Sequence, residues 1–279
     1  MSAPSRGRDG RGRASRGGGR HPGGRDTRRG DQRVVGGLHP VRELLRAGTP
    51  VYRVLVADTR DAGPLVAEIR ALADAAHVPV EEVERRSLDE VAEGLVHQGV
   101  VAVAPPFAYA TLEDVLARAA AAGEAPLLVA LDGVTDPHNL GSIARTAEAV
   151  GAHGLLVPGR RAVGVTPSAE KAAAGALAHL PVVAVGNLVR ALGTLSDRGV
   201  WSLGLDGDAE VALAEHPLAG EPCVLVVGAE GAGLARLTRD RCDALVRLPM
   251  RGRVGSLNAS VAAAVALYEL LRRRDAAGA

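Results

Sequence analysis

Apolar and polar positions alternate in a regular succession over residues 126–279. Short apolar runs such as LLVALDG, GLLVP and VLVVG predict buried strands, and between them lie stretches whose apolar positions recur three and four residues apart. These stretches, LGSIARTAEAVGA, SAEKAAAGALAHL and NLVRALGTLSDRG, predict helices. Strands that alternate with helices of this length are typical of a mostly parallel sheet with helices on both faces. We therefore predict an α/β domain over residues 126–279.

The same alternation occurs on a smaller scale from residue 34 onward. GLHPVRELLRAG predicts a helix that ends at Gly48, and the strands YRVLVAD, VPVEEV and GVVAVA follow with two amphipathic helices between them. Pro105 and Pro106 end the pattern, so residues 34–104 are predicted to form a small α/β domain. Residues 105–125 are a linker, in which TLEDVLARAAAAGE predicts a helix capped by Thr111 and ended by Gly123.

Two glycine-rich loops follow apolar strands near the end of the chain. The first lies in VLVVGAEGAGL, and the second lies in VRLPMRGRVGSLNASV, which leads into a strongly helical stretch. Ligands of open α/β sheets bind beyond the carboxyl ends of the strands, so these loops predict a cofactor crevice. The sequence has no phosphate loop, no G-x-G-x-x-G dinucleotide motif and no G-x-S-x-G elbow. For either loop alone, glycines that only make tight turns are the alternative.

A third candidate segment, DGVTDPHNLGSIARTAEAVGA, joins the first strand of the large domain to its helix. Asp136 and Pro137 predict a turn, and Asn139 predicts the N-cap of the following helix rather than a ligand. Arg145 lies on that helix, near enough to the strand end to reach a carboxylate or phosphate over the crevice. A solvated helix surface is the alternative for Arg145.

Composition narrows the classes of function. The chain has 279 residues, enough for two domains, but only five aromatic residues, which argues against a base-stacking platform for single-stranded RNA. Cys223 and Cys242 match no metal-ligand spacing, so we expect buried thiols in a reducing compartment and no bound metal. The sequence contains neither an apolar run long enough for a membrane helix nor the apolar core of a signal peptide. We expect a cytoplasmic protein without a membrane partner.

Charge is concentrated at the N-terminus. Residues 1–33 contain ten Arg, three Asp and nine Gly, a formal net charge of +7 within a chain whose total is +1. This segment has almost no apolar residues, so we expect it to be disordered when alone. Either it is a flexible arm that neutralises phosphates of a nucleic acid, or it is a solvated tail with no specific partner.

The three loop-bearing segments resemble the sequence motifs of a known family. DPHNLGSIARTAEAVG, VVGAEGAGL and LPMRGRVGSLNASVAAAVALYE are similar, in order and spacing, to the motifs of the SpoU family of ribose 2′-O-methyltransferases in the SPOUT superfamily. GLHPVRELL and HQGVVAV resemble the small RNA-binding domain that precedes these motifs in the bacterial enzymes. The resemblance covers residues 34–274 and leaves out only the basic tail.

This resemblance implies a fold, a cofactor and an assembly. SPOUT domains thread their C-terminal segment through a loop to form a trefoil knot, a rare exception among folds. They bind S-adenosyl-L-methionine in the knotted loops, and they form homodimers whose active sites lie at the subunit interface. Apolar loops with exposed backbone groups also suit an adenine ring better than a phosphate. The residues that the resemblance assigns to the cofactor are Leu203, Gly204, Gly228, Leu248, Met250, Ser256 and Leu257.

The resemblance also implies catalytic residues. It gives Arg145 the role of activating the ribose hydroxyl, with Asn139, Glu230, Ser256 and Asn258 around the site. Arginine is a reluctant base because its pKa lies above about 12. We therefore favour Arg145 holding the phosphate next to the ribose, which lowers the pKa of the hydroxyl or lets a phosphate oxygen take the proton. Glu230 is the other candidate base, and its alternative role is to pair with an arginine that braces the knot.

The expected substrate is RNA. The small N-terminal domain favours a guanosine of 23S ribosomal RNA, whereas other relatives act on transfer RNA or modify ribosomal RNA to give thiopeptide resistance. A ribosome-assembly factor without catalysis would need damaged motifs, but Asn139, Arg145, Glu230 and Asn258 are all present. A nucleotide-dependent oxidoreductase is disfavoured because the dinucleotide motif is missing.

Overall fold

The computed structural model of the chain describes residues 32–58, 63–159 and 164–278. The predicted tail, residues 1–33, lies outside these ranges except for its last two residues. The described residues form two sheets, a four-stranded sheet in the N-terminal part and a six-stranded sheet in the remainder. They lie in the parts of the chain that are predicted to form the small and large α/β domains, whose bounds stay predictions.

The small domain has strands in the order β1-β4-β2-β3. β4 pairs antiparallel with β1 and β2, and β2 pairs parallel with β3. The pattern predicts each of its elements except β1, which contains only four residues and begins at the end of the Arg-rich tail. The elements are β1 (Arg33–Gly36), α1 (Leu38–Arg46), β2 (Arg53–Ala57), α2 (Pro64–Ala75), β3 (Val80–Val83), α3 (Arg85–Ala92) and β4 (Val100–Ala104).

The linker helix α4 (Leu112–Ala122) has the predicted ends. Thr111 Oγ1 accepts a hydrogen bond from the backbone N–H of Asp114, and the Asp114 side chain accepts one from the N–H of Thr111. This reciprocal capping satisfies two N–H groups that the helix leaves free. Gly123 ends the helix with a φ of 69°, a conformation that glycine adopts without steric cost.

The large domain is a parallel six-stranded sheet in the order β10-β8-β9-β5-β6-β7. Its alternating strands and helices confirm the predicted α/β fold class, and the trefoil knot stays a prediction. The elements are β5 (Leu127–Asp132), α5 (Pro137–Ala149), β6 (Gly154–Pro158), α6 (Pro167–Ala172), β7 (Val182–Val185), α7 (Leu188–Ser196), β8 (Trp201–Leu205), β9 (Cys223–Gly228), α8 (Arg236–Arg241), β10 (Ala244–Val246) and α9 (Ala259–Gly278).

Both faces of the large sheet are covered. Leu140 and Ile143 of α5 and Leu267 and Leu270 of α9 pack in one apolar cluster. On the other face, α7 packs in a second cluster together with Val115 of α4. A parallel sheet that is buried on both sides has near-continuous apolar strands, which explains runs such as LLVAL and VLVV.

The predicted helix SAEKAAAGALAHL is interrupted. α6 ends at Ala172, and a 3₁₀ turn, Ala176–Ala178, follows. Between them Ala174 and Gly175 have φ angles of 51° and 102°. A Cβ on Gly175 would lie 2.6 Å from Cβ and Cγ of Glu43 in the small domain, so close packing of the two domains accounts for the break. The helical propensity of the alanines is overridden by tertiary contact.

The described part of the chain can be compared with the requirements for crossing a membrane and for binding a metal ion. None of its helices combines the length and the apolar character that crossing a membrane requires. Within the same residues, His, Cys, Asp and Glu side chains form no group of three or more with metal-binding geometry.

Candidate functional site

The carboxyl ends of β5, β8, β9 and β10 meet at one edge of the large sheet, and β9 continues there into a tightly folded loop. Gly228 allows this fold, because a Cβ at that position would lie 2.3 Å from the carbonyl carbon of Gly233. The loop then needs a φ of 73° at Gly231 and 65° at Gly233, which favours glycine at both positions.

Hydrogen bonds fix the shape of this loop. Ala229 and Gly233 exchange two backbone hydrogen bonds of 3.0 and 2.9 Å. The carboxylate of Asp132, at the end of β5, accepts a hydrogen bond of 2.7 Å from the N–H of Ala235. The loop is therefore held at both ends and cannot adopt many conformations without breaking these bonds.

A cavity of about 440 Å³ lies between this loop and the segment that follows β10. Its volume is in the range of small-molecule and cofactor sites, and its walls combine apolar side chains with loop backbone. The residues that line it are Leu205–Asp208, Val227–Leu234, Arg239, Val246, Leu248, Met250, Gly255–Leu257, Ala259 and Ala262.

Five of the seven residues that the resemblance assigns to the cofactor line this cavity, namely Gly228, Leu248, Met250, Ser256 and Leu257. The other two, Leu203 and Gly204, lie on β8 two residues and one residue before Leu205, where the cavity wall begins.

Leu203 is fully buried in the sheet, and Gly204 packs where a Cβ would lie 2.8 Å from Cδ1 of Leu234. The wall on this side is formed instead by Leu205 and the three residues after it. β8 is therefore the strand that the resemblance indicates, but only its last residue, Leu205, lines the cavity.

The cavity wall contains a charged pair that the sequence motifs do not predict. Arg239 Nε lies 2.7 Å from Asp206 Oδ2, and both residues line the cavity. Asp206 also accepts a hydrogen bond from the N–H of Asp208, which orients its carboxylate. The signal for Asp206 is the segment GLDGD, in which a carboxylate and a glycine directly follow an apolar strand.

Asn139 is not the N-cap that the sequence predicts. Asp136 is the cap, and its side chain accepts a hydrogen bond of 2.8 Å from the N–H of His138. Helix α5 therefore begins at Pro137, a favourable first position for proline, and Asn139 lies buried in the first turn. There its amide donates a hydrogen bond of 3.0 Å to Glu230 Oε1.

Asn258 completes a network between the three segments. Its Nδ2 donates to Asn139 Oδ1 at 3.1 Å and also to Glu230 Oε1. Its Oδ1 accepts a hydrogen bond of 2.9 Å from the N–H of Ser260 and so caps α9. The first turn of α5, the loop after β9 and the start of α9 are thus connected through three side chains.

Glu230 acts as the common acceptor of this network. Its Oε1 accepts from Asn139 and Asn258 and more weakly, at 3.4 Å, from the N–H of Ala259. The partners in this brace are therefore asparagine amides. No arginine in the described ranges lies within ion-pair distance of Glu230, so these residues do not supply the arginine of the alternative role.

Arg145 lies on the exposed side of α5, six residues after Asn139, and is not part of the cavity wall. Within the described residues its guanidinium has no ion-pair or hydrogen-bond partner. Its five N–H donors are therefore available to bind a ligand. Ser256 is exposed at the rim of the cavity, beside Leu257.

The site contains no candidate thiol nucleophile. The Sγ of Cys242 lies beside Gly204 of β8, where burial, followed by the charges of Asp243 and Asp132, raises the pKa of the thiol to about 12. A thiol with this pKa is protonated at neutral pH and is a poor nucleophile.

The groups present fit S-adenosyl-L-methionine. Leu248, Met250 and Leu257 provide apolar surface for an adenine ring, and the loop backbone provides donors and acceptors. Asp206 and Arg239 place a carboxylate and a guanidinium at the cavity wall, groups that could bind hydroxyls and a carboxylate.

Comparison with known proteins gives the same assignment. The model of the SpoU rRNA Methylase family matches residues 126–268, and the model described as RNA 2′-O ribose methyltransferase substrate binding matches residues 34–110. The 23S rRNA (guanosine-2′-O-)-methyltransferase RlmB of Pseudomonas syringae is 47% identical over 244 residues, which are 86% of this chain and 95% of the relative.

Solved structures agree as well. The SpoU methyltransferase AviRb of Streptomyces viridochromogenes, in complex with the cofactor AdoMet, is 30% identical with a TM-score of 0.74, over 91% of this chain and 95% of AviRb. The AdoMet-bound rRNA methyltransferase of Sinorhizobium meliloti is 27% identical with a TM-score of 0.71, over 87% of each chain. The match to the family model and the identity to these relatives show that the chain belongs to the SpoU rRNA methylase family.

Proposed function

We propose that this protein methylates the ribose 2′-hydroxyl of a guanosine in 23S ribosomal RNA, with S-adenosyl-L-methionine as the methyl donor. The observation that carries the proposal is the network of Asn139, Glu230 and Asn258, which joins all three family motifs beside a cofactor-sized cavity. The identity to a 23S rRNA guanosine methyltransferase over nearly the whole of both chains supports the choice of RNA.

The cavity would hold the cofactor through its apolar wall and loop backbone. Leu248, Met250 and Leu257 would contact the adenine, while Gly228 keeps the loop narrow enough for close approach of the backbone. The bound cofactor supplies a methyl group on a sulfonium, which is already a good leaving group. The protein must therefore mainly orient the hydroxyl and help to remove its proton.

Arg145 is the residue best suited to orient the RNA. Its exposed guanidinium, which has no partner among the residues that the structure describes, can bind the phosphate next to the target ribose with two parallel hydrogen bonds. That contact fixes the hydroxyl and stabilises its deprotonated form, and a phosphate oxygen can take the proton. Glu230 is occupied as an acceptor for two asparagines, so we assign it the role of holding the motifs together rather than of the base.

The small domain is the RNA-binding module in this proposal. It is the part of the chain that the substrate-binding family model matches. The basic tail adds phosphate contacts without reading a sequence. Transfer RNA, or an rRNA site whose methylation gives thiopeptide resistance, is the alternative substrate, because folded RNA is read largely by shape. We further propose that the protein works in the cytoplasm, where it meets ribosomal RNA.

A homodimer is the assembly that the surface of α9 supports. Val261, Val265 and Tyr268 of α9 are about half exposed, whereas its small residues and Leu267 fill the core. A second cavity is lined by Val265, Tyr268 and Leu248, and Leu248 also lines the cofactor cavity. A second copy on this face would therefore lie next to the active site, as the family resemblance implies.

Mapping of 2′-O-methyl groups would test the proposed function. Ribosomal RNA from cells with and without this protein would be compared, and purified protein would be added back to the unmodified RNA. In RNA from cells without the protein, we expect one guanosine of 23S rRNA to lack its 2′-O-methyl group. The purified protein should restore that group in vitro. A methyl group that disappears from transfer RNA instead would favour the alternative, and no change in any RNA would contradict the proposal.

A further inference from the structure

The two domains are joined by an ion pair that lies outside the active site. Arg33 Nη1 of β1 lies 2.7 Å from Glu170 Oε1 of α6, and their side chains are only 13% and 9% exposed. A pair this deeply buried gains little net stability, because both charges lose their hydration. Arg33 Nε is buried without a hydrogen-bond partner in the described residues, so the contact is not optimised for stability alone. The pair does, however, fix the distance between β1 of the small domain and α6 of the large domain.

The linker between the domains packs around the same pair. The guanidinium carbon of Arg33 lies 5.1 Å from the ring centre of Phe107, which packs edge-to-face on Tyr109. The hydroxyl of Tyr109 accepts a hydrogen bond of 3.1 Å from the N–H of Val165, just before α6. The linker therefore runs along the interface and is fixed to it at more than one point.

A second contact lies further along the interface. His179 Nε2 lies 3.0 Å from Glu43 Oε2 of α1, and Gly175 leaves room for the Glu43 side chain. Burial would raise the pKa of Glu43, but hydrogen bonds from His179 and Arg42 outweigh it and lower the pKa. Two polar contacts on different elements fix a relative orientation, whereas one contact would leave a pivot.

Helix α6, which contacts the small domain through Glu170, packs directly on α5, the helix that carries Arg145. α6 packs so tightly on α5 that a Cβ on Gly141 would lie 2.4 Å from the carbonyl oxygen of Ala169. Gly141 lies between Asn139 and Arg145 on the same helix. The position of the small domain is therefore transmitted through one tightly packed helix pair to the residues that meet the RNA.

We propose that Arg33 and Glu170 are specificity-determining positioning residues, which hold the RNA-binding domain at one fixed distance and angle from Arg145. RNA held by the small domain then presents only one ribose at the cofactor cavity. This inference rests on the proposed function, because it takes the small domain to be the RNA-binding module. It adds that nucleotide choice depends on a contact that touches neither the RNA nor the cofactor.

A charge-reversal series in the full-length protein would test the proposal. Arg33→Glu places two carboxylates at the interface, and Arg33→Glu combined with Glu170→Arg restores an opposite-charge pair. Arg70→Glu is the matched control, because Arg70 pairs with Glu82 at the same distance of 2.7 Å within the small domain but with side chains 36% and 60% exposed.

Distances between the domains would be measured by double electron–electron resonance spectroscopy. Spin labels would be attached after the substitutions Glu90→Cys in the small domain and Arg198→Cys in the large one, both at exposed side chains. Cys223 and Cys242 would compete poorly for the label, since burial raises the pKa of both thiols. Arg33→Glu should broaden the distance distribution, the double variant should narrow it again, and Arg70→Glu should leave it unchanged.

Methylation of a 23S rRNA fragment provides the second measurement. Arg33→Glu should lower kcat/KM for the fragment about tenfold or more and shift methyl groups to neighbouring nucleotides, with calorimetric cofactor affinity within about twofold. The double variant should recover both properties. A narrow distance distribution in Arg33→Glu would overturn the docking role, and a broad one with unchanged kcat/KM and target would overturn the positioning role. A parent protein that methylates no ribosomal RNA would refute the proposed function, while the label distances would still decide the docking.

Discussion

Asn139 and Glu230 are 91 residues apart in the chain, yet the Asn139 amide donates a hydrogen bond of 3.0 Å to Glu230 Oε1. The contact joins the helix that carries Arg145 to the loop that lines the cofactor cavity. A movement of the helix that carries Arg145 relative to the cavity loop would therefore break or bend this bond. The distance between the hydroxyl and the methyl group depends on such preorganisation.

Substitutions at Glu230 separate a bracing role from that of a base. Glu230→Gln keeps an oxygen for the asparagine amides, so a brace predicts that single-turnover methylation falls by no more than about tenfold, whereas loss of a general base removes about 10²–10⁴-fold. Glu230→Ala removes the acceptor and should also weaken cofactor binding, measured by calorimetry. A Glu230→Gln variant that binds the cofactor normally but is inactive would make Glu230 the base.

Arg145 should affect turnover without affecting the cofactor. Arg145→Lys keeps the charge but loses the planar fork, so partial loss of turnover is expected, and Arg145→Ala should lose it nearly completely. Cofactor affinity should stay the same, because Arg145 is not part of the cavity wall. If Arg145→Ala reacts within about threefold of the parent, a change of under ~1 kcal/mol in the barrier, Arg145 is not the activating residue.

The outer face of α9 should control assembly. Tyr268→Glu replaces a side chain that is 56% exposed with a charged one. The fold should therefore survive, while a dimer through this face should dissociate. Sedimentation at working concentration would measure the mass, and Val96→Asp, at an exposed apolar position of the small domain, is the control. A parent protein that sediments as an active monomer would rule out the dimer.

Removal of the basic tail should weaken RNA binding and lower its salt dependence. The deletion should cover residues 2–31, which contain nine Arg, and should keep Arg33 because it pairs with Glu170. Each lost phosphate contact lowers the slope of log K against log salt by roughly 0.7 to 0.9. Cofactor affinity serves as the internal control. An unchanged salt slope would identify the tail as a solvated segment with no role in binding.

Glu170 should make stability depend on pH. Burial raises its pKa to about 7, although Arg33 opposes the shift, so between pH 4.5 and 7 the folded state keeps a proton that the unfolded state has lost. Stability from this group is therefore complete below pH 4.5 and is lost as pH rises through 7, by up to about 3 kcal/mol.

Comparison with Glu170→Gln isolates this effect. Burial lowers the pKa of His153, so its contribution changes in the opposite direction, and it is common to both proteins. The free energy of unfolding of the parent minus that of the variant should decrease between pH 5 and pH 8 in urea titrations. A difference that is independent of pH would mean that Glu170 stays ionised in the folded protein.

The sequence alone determined most of the elements, though not β1 or α8, and the chemical class of the site. Strand and helix periods reflect which side of each element is buried, and caps such as Thr111 and Gly123 satisfy local backbone groups, so both can be read within a few residues. The two glycine-rich loops after apolar strands correctly predicted a cavity at the strand ends, since Gly228, Leu248 and Leu257 line it. Such features depend on neighbours in the chain.

Only the tertiary structure decided which distant residues meet. The sheet order puts β9 beside both β5 and β8, which brings Asp132 and Gly228 to one edge and makes Leu205, rather than Leu203, reach the cavity. The same packing turns Asn139 from a predicted cap into part of a brace, and it breaks a predicted helix at Gly175 where Glu43 needs space. Contacts across tens of residues depend on strand order and domain docking, and local propensity does not encode either one.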